Sequence, residues 1–175
     1  VAPELRLPQP MSHAPAYPHD AIQPIADEVF AVRGSLLLNP LIRISRNMAI
    51  VRQDGELSLI NPLRLNDAGM AALQRLGRIR RIVSLGALHG IDDAWYRQQF
   101  QVETWARPGS RKYPPPPGYR LLDPTQPLPF AGARLFCFHG TQPESALLLD
   151  RGEGLLLTCD ALQHYGDYHQ HSAMA

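Results

Sequence analysis

Cysteine is scarce in this chain. Cys137 and Cys159 are the only two in 175 residues, too few for a disulfide scaffold and suited to a reducing, cytoplasmic compartment. Long apolar runs are missing too, since nothing approaches the roughly 20 apolar residues of a membrane-spanning helix. The chain therefore reads as soluble, with no membrane partner. Val1 to Asp20 is rich in Pro and His and lacks the apolar segment of a secretory leader, although the first residue is not Met and a processed leader stays open. Neither sign of charge dominates. Lys and Arg number 17 against 16 Asp and Glu, a formal net charge of +1, which removes the electrostatic basis for a nucleic-acid partner. Phosphate-cradling and dinucleotide glycine loops are absent, as is the Gly-x-Ser-x-Gly elbow of serine hydrolases.

What is present fits one globular domain, 45% hydrophobic and 19% charged. Residues 1–24 carry several prolines without a steady period and read as an irregular arm, leaving 25–175 as the domain. Glu28 to Arg33 and Arg46 to Arg52 read as strands. Asp54-Gly55 is a hairpin turn leading into the alternating Glu56-Leu-Ser-Leu-Ile60. Asn66 or Asp67 caps a helix through Ala68 to Leu76, and Arg80 to Leu85 follows as a strand. Strand, helix, strand in this order makes a crossover unit of a layered α/β sheet. Asp92-Asp93 caps a second helix, Ala94 to Phe100, before a strand at Val102 to Ala106. The four prolines of Tyr113-Pro-Pro-Pro-Pro-Gly118 make an extended segment, either a stiff surface connection or a polyproline ligand. Arg75, Arg78, Arg80 and Arg81 read as a solvated cluster rather than a binding patch.

Chemistry concentrates in the last third. The strand Gly154 to Thr158 runs into Cys159 and Asp160, with His164 four residues on, and the strand Ala133 to Phe138 ends at His139. Strand ends bearing His and Asp are how a buried sheet delivers ligands to a metal at its rim. His89, on the loop after Val83, is a third candidate. Each has a bland alternative: a loop hydrogen bond for His89, a surface strand end for His139, a turn held through amides for Asp160. Cys159 places a thiol beside the site, to ligate or to pack as a small apolar side chain. His169 and His171 add a histidine-rich tract of the kind that binds metal or stays solvated.

The hairpin, the strand–helix–strand unit and the closing Thr158-Cys-Asp-Ala-Leu-Gln-His-Tyr-Gly-Asp167 together resemble the metallo-β-lactamase fold superfamily, from about Ile25 to Asp167. The closest likeness is to its DUF4336-like branch. The resemblance implies an α+β architecture, an αββα sandwich of two mixed sheets with helices outside. Its hydrolases carry a His-x-His-x-Asp-His loop that binds one or two metal ions. Laid on this chain from Ser84, that motif falls on Leu85 and Ala87 for the first histidines, His89 for the acid and Gly90 for the last histidine. The family's bridging Asp falls on Asp160, a later His on His139, and the acid after the opening hairpin is replaced by Asn61-Pro62.

The implied ligand set is thus His89, His139 and Asp160, with His164 in reserve, for one zinc or iron ion or for no metal at all. The implied activity is metal-dependent hydrolysis of an ester, thioester, lactone or amide. The alternative is a non-catalytic relative whose cleft binds a small molecule or a partner. The family's final histidine would lie beyond Ala175, so the fold reads as incomplete on its C-terminal side, with homodimerisation as one way to cover the exposed edge.

Overall fold

The computed structural model describes residues 13–140 and 142–162. Its larger sheet has seven strands in sequence order: β1 (Gln23–Ala26), β2 (Val29–Asn39), β3 (Ile42–Gln53), β4 (Glu56–Ile60), β5 (Arg78–Ser84), β6 (Glu103–Ala106) and β7 (Arg120–Leu121). Neighbours from β1 to β4 are antiparallel, and from β4 to β7 they are parallel. A second, antiparallel sheet holds β8 (Ala133–Phe138), β9 (Glu144–Leu149) and β10 (Leu155–Leu157), with β9 in the centre. The helices are α1 (Asp67–Leu76) and α2 (Asp93–Phe100), the latter preceded by a 3₁₀ turn at Gly90–Asp92.

Local chemistry sets these elements. Asp54 and Gly55 both adopt positive φ, 53° and 75°, the geometry of a two-residue turn matched to strand twist, and β3 and β4 pair around them. Asn66 caps α1 by accepting from the Gly69 amide at 2.8 Å. The second helix departs from its expected cap, because neither Asp92 nor Asp93 makes a capping bond. Asp92 instead pairs with Arg46 and Asp93 with Ser84. Burial of both carboxylates inside the domain outweighs the local capping option.

Successive residues of the central strands feed opposite layers. Ile50, Leu59 and Ile82 join one cluster with Leu73 and Tyr96 of the helices. Their neighbours Val51, Ile60 and Val83 join another, with Leu135, Leu147 and Leu149 of the second sheet. A sheet covered on both faces buries successive residues rather than alternate ones, as Leu57 to Ile60 do, Ser58 among them. The described layers are helices, large sheet and small sheet. On the outer face of the small sheet Phe136, Phe138 and Leu156 are 45%, 41% and 48% exposed.

β2 and β3 run further than the sequence reading placed them. Their register continues from Val29 opposite Val51 to Asn39 opposite Ile42. Among the described residues the outer half of this hairpin meets no third strand beyond a single bridge from His19 to Gly34, and its tip leaves Leu37, Leu38, Leu41 and Ile42 exposed. With no core to face, it carries no alternation to read. Arg80 and Arg81 make ion pairs with Glu56 and Glu103 across neighbouring strands, a structural role.

Candidate metal centre

The two sheets bring their loops together at one end. β5 delivers the loop 85–89, and β10 delivers Thr158-Cys159-Asp160. Ligand atoms of His89, Cys159 and Asp160 lie within 4.8 Å of one another, an imidazole, a thiol and a carboxylate. The His89 Nε2 and Asp160 Oδ1 atoms are 3.1 Å apart. Cys159 is buried at the floor and packs in the cluster between the sheets, while the Asp160 side chain is 38% exposed at the rim.

Buried polar contacts position each group. Arg46, inside β3 and 6% exposed, donates to Asp92 Oδ2 at 2.8 Å, to the Pro62 carbonyl at 3.2 Å and to the His89 carbonyl at 3.3 Å. One guanidinium therefore ties the His89 loop to the sheet. Asn61, at φ 50°, accepts from the Leu85 amide at 2.9 Å and donates Nδ2 toward Cys159 Sγ at 3.6 Å. It holds the thiol where the resembling family has an acid.

Gly86 makes the convergence sterically possible. Its backbone bridges to Glu144 at the start of β9. A Cβ there would collide with Cys159 Sγ and stand 2.5 Å from Glu144 Oε1. Glu144 faces the Cys159 thiol and the Asp160 amide, and its Oε2 is buried with no hydrogen-bond partner among the described residues. Burial, then the Asp160 charge, holds the Glu144 carboxyl above its usual range. Burial also raises the Cys159 thiol, with the Glu144 and Asp160 charges adding to it. Acidic groups crowded so closely, with one imidazole among them, are a donor set that a divalent cation would satisfy.

Of the residues read from sequence, the structure joins His89 and Asp160. His139 stands exposed beyond β8, outside this group. His164 lies outside the described residues. Cys159 had been weighed as ligand or packing residue and here both packs and faces the site. Sequence reasoning missed Glu144 and Arg46. Neither gave a local signal: Arg46 stands between Ser45 and Asn47 in a strand that also carries Arg43 and Arg52, and the place of Glu144 depends on the bridge to Gly86.

No family model matches this sequence, and no curated protein matches it. Solved structures do. The DIM-1 metallo-β-lactamase exposed to ceftazidime is similar with a TM-score of 0.60 at 14% identity, over 76% of this chain and 66% of its own. FIM-1 from Pseudomonas aeruginosa, in its mono-zinc form, gives 0.57 at 16%, over 76% and 66%. A metallo-β-lactamase from Erythrobacter litoralis with β-mercaptoethanol in the active site gives 0.58 at 17%, over 73% and 65%. The chain thus spans just under two thirds of the length of these proteins. Likeness at such identities is likeness of fold, and the fold of this chain is that of the metallo-β-lactamases.

Proposed function

We propose that the protein is a metal-dependent hydrolase of the DUF4336-like branch, holding a single zinc or iron ion through His89, Cys159 and Asp160 and acting on an ester, thioester, lactone or amide. The observation that carries this is the approach of three different ligand types to within 4.8 Å at the meeting of the two sheets. Nitrogen, sulfur and oxygen donors in one cluster suit zinc, and a neighbour in fold is a mono-zinc form. An ion held there by His89, Cys159 and Asp160 would supply Lewis acidity, to polarise a carbonyl and lower the pKa of water toward neutrality.

The chain's own groups divide the remaining work. Arg46 and Asn61 fix the imidazole-bearing loop and the thiol, so that little reorganisation is left when a ligand arrives. Glu144 Oε2 is a buried, unpaired acceptor whose carboxyl is held above its usual range, suited to take up a proton released in the site. The Asp160 side chain at the rim is open to solvent.

The test combines metal analysis with a substrate panel. Metal-supplemented protein should hold about one ion per chain and hydrolyse at least one of an aryl ester, a thioester, a lactone and an anilide. His89→Ala and Asp160→Ala should each abolish that activity. Metal-loaded protein inert across the panel would favour the non-catalytic reading, and protein that takes up no metal would remove the metal centre itself.

A further inference from the structure

Beneath the His89 loop, at the carboxyl ends of the parallel strands β5 and β6, lies a second polar site that the metal cluster does not use. It is a cavity of about 20 Å³ with Ser84, Asp93 and Thr104 among its lining residues. Crevices at the carboxyl ends of parallel strands are where open α/β sheets bind ligands. Asp93 is 8% exposed and Thr104 is 5% exposed. Asp93 Oδ2 accepts from the Ser84 hydroxyl at 2.7 Å, but Asp93 Oδ1 and Thr104 Oγ1 are buried with no partner among the described residues. Leaving both unpaired is costly, so the cavity calls for a hydrogen-bonding guest.

Size and charge narrow what that guest is. The volume admits roughly one non-hydrogen atom, so only the end of a molecule enters. Its base presents the Asp93 carboxylate, which feels Arg97 and Arg46 only through charge; Arg46 is engaged by Asp92, and Arg107, which also lines the cavity, donates to the Phe138 and Glu144 carbonyls. Burial pushes the Asp93 carboxyl up to about 6, with Ser84, Arg97 and Arg46 offsetting only part of that cost. A primary ammonium group meets these demands together, with one heavy atom, three N–H donors and a positive charge.

The proline-rich segment completes the site. Tyr113 and Pro115 line the cavity opposite the His89 loop. The Ser110 hydroxyl links the two sides, donating to the Ala87 carbonyl at 2.9 Å and accepting from the Tyr113 amide at 3.1 Å. Four consecutive prolines make a stiff wall.

We propose that this cavity binds the primary ammonium group of a small molecule, with Asp93 as counter-ion, Thr104 as second acceptor and the proline-rich segment as wall. The proposal does not depend on the metal reading, and its test uses metal-free protein. Thermal unfolding is followed while methylammonium chloride is titrated at constant ionic strength, with tetramethylammonium chloride as a cation that is too large and has no N–H. Methylammonium should raise the unfolding temperature with saturation, and tetramethylammonium should not. Asp93→Asn and Thr104→Val should each weaken the apparent affinity by roughly tenfold or more. Should Asp93→Asn fail to fold, Thr104→Val, which keeps the carboxylate, carries the test. Equal shifts from both cations, no shift from methylammonium, or an undiminished response in Thr104→Val would overturn the proposal.

Discussion

Asp93 and Asp92 are adjacent carboxylates, both buried, with different surroundings. Asp92 has a guanidinium at 2.8 Å, whereas Asp93 has a hydroxyl and an unpaired oxygen. Asp93 is therefore raised from 3.8 to about 6, chiefly by burial. A raised acid is more readily protonated in the folded state than in the unfolded one. Its contribution to stability is full below about pH 4 and is lost as pH rises through about 6, on the order of 3 kcal/mol in all. Asp93→Asn cannot ionise, so its stability relative to the parent should rise across that window. Urea unfolding at several pH values checks this, and a difference independent of pH would count against it.

Arg46 makes the opposite case. Removing one partner of a buried pair strands the other, at about 3–5 kcal/mol. Asp92→Asn should lower the unfolding free energy by an amount of this order, and it should weaken metal uptake because the His89 carbonyl shares the same guanidinium. Chemical denaturation and metal titration of this one variant read both effects.

Among the elements, those announced by their own residues were legible in the sequence. Asp54-Gly55 marked its hairpin, Asn66 marked the start of α1, and the strand at Ala133 to Phe138 was placed with its observed ends. Elements whose form depends on distant partners were not. The outer half of β2 and β3 carries no core-facing pattern, and the expected caps of α2 are spent on β3 and β5. The site divides along the same line. His89 and Asp160 announce themselves by residue type and by their place at loops, whereas Glu144 joins them only because Gly86 bridges to β9. Two substitutions test this level. Asn66→Ala should destabilise the protein by about 1 kcal/mol through loss of the cap. Gly86→Ala should displace Cys159 and Glu144 and impair metal uptake more than stability, measured by parallel titration and denaturation.

Over the whole molecule, the large sheet separates two cores. One binds the helices, and the other binds the small sheet. The candidate centre lies where loops from both sheets meet, so its geometry depends on the packing of Val51, Ile60 and Val83 against Leu135, Leu147 and Leu149. The resemblance seen in the sequence anticipated the packing of two sheets, although the smaller is antiparallel rather than mixed among the described residues. Leu85 and Ala87, where the resemblance would put its first two histidines, are both buried apolar residues. Among the described residues no helix is long and apolar enough to cross a membrane.

A single metal centre with Cys159 among its ligands is tested by cobalt(II) titration followed by absorption spectroscopy. Saturation is expected near one ion per chain, with a thiolate-to-metal charge-transfer band in the near ultraviolet. That band should vanish in Cys159→Ser, while His89→Ala and Asp160→Ala lower the affinity. Absence of binding, or binding without the thiolate band and indifferent to all three substitutions, would contradict it.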